Sequence, residues 1–174
     1  GRDVGYAENR LDQLALKADS TGTQDPQFDV DLTASGIQTA GQQIRSVELD
    51  LAGRLSRHQL SLDVSGGEGL PVSQASIRLQ GGLDSAFQHY QGAFSRLSAS
   101  TDYGDIALRD SLDFTANLAD SSATISPFCL DRQQGGALCL TERMNASAAQ
   151  GRAALSIDDL PMALLNDFMP EEWQ

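Results

Sequence analysis

Apolar and polar residues alternate along much of this 174-residue chain, and the alternation predicts β-strands that keep one face in water. Residues 27–34 show it most strictly, because Phe28, Val30, Leu32 and Ala34 are separated by aspartate and threonine. Side chains point to opposite faces of a strand with a period of two, so these four apolar residues share one face.

The same alternation recurs along the chain between clusters of glycine, serine and proline. It is found in residues 11–18, 44–51, 58–64, 75–79, 94–101, 105–109, 111–118 and 146–157. A spacing of roughly ten residues between strands is typical of hairpins, in which neighbours run antiparallel. The pattern predicts an all-β protein with about ten to twelve short strands joined by tight turns.

Two of these strands share a longer arrangement of apolar residues. Residues 11–18 and 44–51 both read apolar-x-x-apolar-x-apolar-x-apolar, and residues 94–101 repeat it more weakly. A recurring unit is typical of an array that stacks along one axis, although amphipathic strands also resemble one another by chance. The ends of the chain are abrupt, and residues 1–174 are predicted to be a single segment of a longer, repeat-like protein.

Residues 125–140 predict a β-hairpin that is closed by its own disulfide. If Cys129 pairs with Cys139 across the strands, their side chains are close enough to be bonded. The same register places the four apolar residues of the hairpin on the other face: Phe128, Leu130, Leu138 and Leu140. Gly135 and Gly136 can supply the positive φ that the turn needs.

The apolar period changes at the end of the chain and predicts one short amphipathic helix. The apolar stripe of this segment consists of Leu160, Leu164, Leu165 and Phe168. Asp158 and Asp159 stand before Pro161, an arrangement that favours a helix start, and Pro170 ends the helix.

Charge and cysteine usage narrow the class of protein. The formal net charge is −12 and the pI is near 4.3, a balance that repels nucleic acid and anionic membrane surfaces. No apolar run approaches the ~20 residues that cross a bilayer. Two cysteines within one hairpin fit an oxidising compartment.

Residues that carry catalytic or metal chemistry are scarce, so no enzyme, metal or cofactor is expected. The glycine-rich segment at residues 65–69 lacks the lysine of a phosphate-binding loop. His58 and His89 have no serine pattern nearby and are interpreted as surface or turn residues.

A large amphipathic sheet must cover its apolar face. Two sheets can cover each other in a β-sandwich, or one sheet can roll into an open trough whose lining is completed by a guest. The residues expected to line such a trough are Leu14, Leu16, Phe28, Val30, Leu32, Val47, Leu49, Leu51, Leu60, Leu62, Val64, Ile77, Leu79, Leu97, Ile106, Leu108, Leu112, Phe114, Phe128, Leu130, Leu138, Leu140, Leu155 and Ile157.

From about Ile44 onward the chain resembles the TamB family, the inner-membrane subunit of the translocation and assembly module of Gram-negative bacteria. The motifs that carry the resemblance are Cys129-Leu130, Gly135-Gly136, Leu138-Cys139-Leu140 and the helix signature that runs from Leu160-Pro161 to Leu164-Leu165. The strands that begin at His58 and Gln91 resemble the repeated strands of the family.

The resemblance implies a periplasmic segment from the C-terminal region of a long protein anchored in the inner membrane. It implies a sheet rolled into an open, taco-like trough with an aliphatic interior. It also implies phospholipid transport to the outer membrane, assembly of autotransporters and other outer-membrane proteins, and the outer-membrane barrel TamA as partner. Two guests are therefore considered for the trough: phospholipid acyl chains, or unfolded outer-membrane protein strands held by β-augmentation.

Overall fold

The computed structural model describes residues 2–6, 9–39 and 42–159, which form fifteen β-strands and no helix. The strands are β1 (Arg2–Tyr6), β2 (Asn9–Thr21), β3 (Gln27–Thr39), β4 (Gln42–Arg54), β5 (Arg57–Gly66), β6 (Val72–Leu83), β7 (His89–Thr101), β8 (Gly104–Leu108), β9 (Leu112–Asn117), β10 (Ser122–Ile125), β11 (Phe128–Arg132), β12 (Ala137–Leu140), β13 (Met144–Ser147), β14 (Gly151–Arg152) and β15 (Leu155–Asp158). Residues 160–174, which carry the predicted helix, lie outside the described residues.

All of the described strands belong to one open sheet, and every pair of neighbours is antiparallel. The strands follow the chain from β1 to β8 and continue with β11, β12 and β15. The all-β, single-sheet expectation is confirmed, and residues 2–159, where described, contain no second sheet of the kind a sandwich needs.

The last eight strands form four long strands, each interrupted once along its length: β8 with β9, β10 with β11, β12 with β13, and β14 with β15. β8 pairs with one end of β7 and β9 with the other end. In the next long strand, β11 pairs with β8 and β10 pairs with β9. β12 then pairs with β11 and β13 with β10, and finally β15 pairs with β12 and β14 with β13. The interruptions lie side by side at residues 109–111, 126–127, 141–143 and 153–154, and we call this line the crease.

Local sequence explains where the crease begins and how its backbone groups are satisfied. The register of β6 with β7 shifts between the Arg78–Arg96 and Leu79–Phe94 pairs, leaving an extra residue in β7, and such a bulge bends a strand. Pro127, at the second interruption, has no N–H to donate to the ladder. Backbone hydrogen bonds bridge the gaps, from the Arg109 amide to the Cys129 carbonyl and from the Thr141 amide to the Ala154 carbonyl, each 2.9 Å.

The cysteine hairpin forms in the predicted register. Cys129 faces Cys139, and the disulfide joins β11 to β12. Phe128 pairs with Leu140 and Leu130 with Leu138. In the turn, the φ angles of the two glycines are 101° at Gly135 and 96° at Gly136, so the turn uses the left-handed backbone that glycine permits.

The core is thin because the sheet has one layer. The buried apolar residues among those described are Ala34, Leu112, Ala137 and Leu140, and none of the large side chains is fully buried. Leu112 and Leu140 are 6% and 4% exposed, and both border the crease. Two of the four buried residues, both of them leucines, therefore lie where the sheet is interrupted.

At one end of the strands, the turns are linked to one another by hydrogen bonds. These turns are residues 22–26, 55–56, 84–88 and 118–121, and we call them the turn rim. The Leu55 amide donates to the Pro26 carbonyl (3.2 Å), and the Leu83 amide donates to the Leu55 carbonyl (3.0 Å). The Asp84 carboxylate accepts from the amide of Gln88 (2.8 Å) and contacts Nδ1 of His89 (2.9 Å). The Leu118 amide donates to the Gln88 carbonyl (2.8 Å), so hydrogen bonds link all four turns in a continuous line.

The disulfide should stabilise the hairpin by about 3 kcal/mol in the chain-entropy model, because closing a loop of about eleven residues removes conformational entropy from the unfolded chain. In the full-length protein, replacing both Cys129 and Cys139 by serine should therefore speed amide hydrogen exchange in β11 and β12 by up to about 100-fold. Exchange in β3 to β5 is the internal control. Equal exchange of β11 and β12 in both proteins would contradict a stabilising disulfide.

Acid should break the hydrogen bonds of the Asp84 carboxylate only at very low pH. The hydrogen bonds from His89 and Gln88 lower the pKa of Asp84 from 3.8 to about 2. A carboxylate with a lowered pKa stabilises the folded turn above its ordinary pKa, and this contribution is lost as the pH falls through about 2. The amide resonances of Gln88 and His89 should report that midpoint, and the Asp84→Asn variant should abolish it. A midpoint near 3.8 would show that the bonds are absent in solution.

Candidate functional site

The candidate site is the apolar face of the sheet, on which aliphatic residues form continuous cross-strand rows. The longest, the central row, contains Leu16, Leu32, Leu49, Leu62, Ile77 and Leu97 as successive partners from β2 to β7. Leu108, Leu130, Leu138 and Ile157 continue it from β8 to β15. Because Ser98 pairs with Ala107, Leu97 of β7 lies opposite Leu108 of β8, and the row continues from one strand to the next. Ten strands spaced about 4.8 Å apart make this row roughly 43 Å long.

Two shorter rows flank the central row. The row on the side of the turn rim contains Ala18, Val30, Leu51, Leu60, Leu79, Phe94 and Leu112. The row on the opposite side, the far row, contains Leu14, Ala34, Val47, Val64, Ala75, Ala99 and Ile106. Phe128, Leu140 and Leu155 form a further set of partners beside the crease. The predicted lining residues thus lie on one face, and their role as a binding surface stays a prediction.

This face is open. Among the predicted lining residues only Leu112 and Leu140 are buried, and most of the others are half-buried. Leu16 is 62% exposed and Leu155 is 63% exposed, near opposite ends of the sheet. A second packed layer would bury such side chains, so the rows are open to solvent in this structure.

The other face is polar and carries most of the charges. Asp63 binds Arg78 (2.7 Å), and Asp131 binds Arg109 through two hydrogen bonds of 2.6 and 2.8 Å. The hydrogen bond from Arg78 lowers the pKa of Asp63, and the hydrogen bond from Arg109 lowers the pKa of Asp131. These carboxylates therefore stay ionised at neutral pH and keep this face in water.

Aromatic rings form a strip between the aliphatic rows and the turn rim. The strip contains Phe28, His58, Tyr90, Phe114 and Phe94, whose successive ring centroids are 5.7, 5.6, 5.7 and 5.3 Å apart. These spacings are those of aromatic pairs in contact. We call this set the aromatic strip.

Glycines in the same rows make the packing of the strip possible. Gly53 pairs with both Phe28 and His58, and Gly92 pairs with Phe114. A Cβ atom added at Gly92 would lie 2.8 Å from the Phe114 ring and 2.9 Å from the Tyr90 ring. The rings therefore occupy the space above strand positions that have no side chain.

His58 and Tyr90 place a hydrogen-bonded polar pair on the apolar face. Nε2 of His58 lies 2.9 Å from the Tyr90 hydroxyl oxygen, and Nδ1 lies 3.2 Å from the carbonyl oxygen of Arg54. Since a carbonyl only accepts, Nδ1 donates to it in the neutral ring, and Nε2 accepts from Tyr90. Burial raises the pKa of Tyr90, so its hydroxyl keeps the proton.

His58, which was interpreted as a surface or turn residue within a predicted strand, lies in β5, half-buried on the open face among aromatic rings. The aromatic strip as a whole was not predicted. A signal did exist, since Gly53, Gly81 and Gly92 fall inside amphipathic strands where glycine is disfavoured. Recognising it required the register between strands.

Residues 2–6, 9–39 and 42–159 contain no group of three or more metal-ligating side chains. Within the same residues, no helix has the length and apolar character needed to cross a membrane.

The fold and the site define an open β-groove protein, in which one antiparallel sheet presents a continuous aliphatic face. The chain belongs to the TamB family, because the family model described as "TamB, N-terminal domain" matches residues 1–174. The family expectation is confirmed, although the matching model is that of the N-terminal domain and not of the C-terminal region.

A curated relative agrees with this assignment. The chain is 23% identical over 177 residues to the translocation and assembly module subunit TamB of Haemophilus influenzae. The match covers 84% of this chain and 13% of the relative, so the chain spans about an eighth of that protein. No solved structure matches the chain significantly.

The glycine positions under the aromatic strip should not tolerate a side chain. We expect Gly92→Ala to destabilise this part of the sheet by about 1–3 kcal/mol, because the new methyl group overlaps two rings. Hydrogen exchange of β7 in the full-length protein measures the loss.

Gly151→Ala is the matched control, because its Cβ would meet the Ala146 Cβ at an ordinary 3.4 Å. Equal hydrogen exchange of β7 in the Gly92→Ala and Gly151→Ala variants would show that the rings do not pack over Gly92.

Proposed function

We propose that this chain is a segment of a hydrophobic groove that carries phospholipid acyl chains between the inner and outer membranes, without any chemical conversion. The observation that supports this most is the central row, an uninterrupted line of aliphatic partners on a face without a covering layer. An acyl chain would complete the burial that the single sheet leaves unfinished.

The energetics favour a mobile guest. Each buried CH₂ group gains roughly 0.8 kcal/mol, so contact with half-exposed leucines can hold an acyl chain without any specific bond. One membrane leaflet offers acyl chains of about 15 Å, half of the ~30 Å hydrocarbon core. The central row crosses ten strands and carries no charge, so an acyl chain in contact with it can move from strand to strand without crossing a large barrier.

Family membership supports a wider role for the protein to which this segment belongs. We propose that it works in the periplasm as part of a protein anchored in the inner membrane, with the outer-membrane barrel TamA as partner. Support for autotransporter and outer-membrane protein assembly belongs to the same proposal. The disulfide fits an oxidising compartment such as the periplasm.

An unfolded outer-membrane protein strand is the competing guest. It would bind by adding a strand to an edge of the sheet, where backbone groups are available. The lipid is favoured here because β2 to β7 use both of their edges within the sheet, while their apolar face stays open.

The guest can be identified on full-length protein purified from native membranes. Mass spectrometry of the bound material should find phospholipid in amounts comparable to the protein. Recovery of outer-membrane protein peptides without lipid would replace this proposal with the chaperone function.

A charge in the central row should block the groove while leaving the sheet folded. Leu49→Arg loses about 1 kcal/mol of apolar burial, but its guanidinium can extend to water from an open face. We expect the full-length variant to keep its β-sheet circular dichroism and to lose most of its bound phospholipid.

Asp50→Arg is the matched control, because Asp50 is the next residue of β4, is exposed and pairs with Asp31 on the polar face. It should retain the lipid. A folded Leu49→Arg protein with unchanged lipid content would mean that acyl chains do not lie on the central row.

A further inference from the structure

The apolar face differs between its two sides. On the side of the turn rim it carries the aromatic strip, while the far row on the other side contains only leucine, alanine, valine and isoleucine. A groove that held an apolar chain without orienting it would not need this difference. The two sides therefore offer a lipid different surroundings.

Aromatic rings with a polar group suit the boundary between hydrocarbon and water. Tyrosine is enriched where one end of the side chain meets apolar groups and the other meets water, as at membrane surfaces. Tyr90 is half-buried, and its ring stacks on Phe114 at 5.7 Å while its hydroxyl binds His58.

The Tyr90 hydroxyl can still take part in a further contact. Its proton goes to His58, and the oxygen keeps acceptor capacity for an N–H or O–H group. Within the aromatic strip, this hydrogen bond joins β5 to β7, two strands that are not neighbours in the sheet.

We propose that the aromatic strip holds the polar end of the phospholipid, so that the lipid lies across the groove with its head group at the turn rim and its acyl chains toward the far row. The inference rests on the proposed function and adds an orientation to it. Tyr90 would accept a hydrogen bond from a head-group N–H or O–H, and the aliphatic rows would bury the chains.

Two alanines on the apolar face allow a matched test. Ala116 is the cross-strand partner of Tyr90, and Ala99 lies nine residues from Tyr90 on β7, in the far row. At about 3.3 Å per residue the two positions are roughly 30 Å apart, and both are half-buried.

The experiment uses full-length protein in which either Ala116→Cys or Ala99→Cys introduces a free thiol into this segment, whose own two cysteines form the disulfide, and the unsubstituted protein gives the background labelling. Each variant is mixed with phosphatidylethanolamine vesicles that contain one of two probes. One probe is phosphatidylethanolamine with a maleimide on its head group. The other carries a maleimide on a spacer of about 15 Å at the end of an acyl chain, because a ~15 Å chain alone would not span the roughly 30 Å between the two positions.

We expect the head-group probe to label the Ala116→Cys variant several-fold more than the Ala99→Cys variant, and the chain-end probe to show the reverse preference. Adding Tyr90→Phe should lower head-group labelling of the Ala116→Cys variant by about three- to tenfold, since one hydrogen bond is lost. Chain-end labelling of the Ala99→Cys variant should not change.

Equal labelling of both positions by the head-group probe, or the opposite preference, would overturn the orientation while leaving a lipid-binding groove in place. Unchanged head-group labelling of the Ala116→Cys variant after Tyr90→Phe would show that Tyr90 does not bind the head group. Failure of both probes at both positions, with the thiols reactive toward a soluble maleimide, would instead contradict the proposed function.

Discussion

The structure depends on cross-strand pairing within a single layer. A sheet that packs against nothing gains little from a buried core, and the described residues contain only four buried apolar side chains. Its stability must come from backbone ladders and from side-chain partners that meet across neighbouring strands. The aliphatic rows are those partners, and their regular succession keeps long strands in one register.

Other features compensate for the thin core. The disulfide joins β11 to β12 in the part of the sheet where the strands are short. Hydrogen bonds between successive turns hold the turn rim, and the Arg109–Asp131 pair links β8 with β11 near the crease on the polar face. Each of these contacts acts between strands, where a two-layer protein would rely on packing between layers.

The same constraint leaves the apolar face available. A sandwich would bury its leucines internally, whereas this sheet leaves most of them half-buried and so keeps a continuous apolar surface open to water, the surface for which we propose an acyl chain as guest. The aromatic strip gives that surface a direction across its width. Its rings lie over glycines, so the strip is part of the fold as well as of the candidate site.

The sequence alone determined the local features of this protein. Alternation with period two placed the lining residues on one face, and the cysteine hairpin was predicted in its observed register, because both depend on residues that are close along the chain. The turn glycines Gly135 and Gly136 were identified for the same reason.

Only the tertiary structure decided how these elements combine. Alternation is the same in a sandwich and in an open sheet, so the single layer could not be read from it. The crease requires four interruptions to line up, and His58 meets Tyr90 from 32 residues away. Both depend on pairing between strands that are distant along the chain, and no short-range pattern encodes that register.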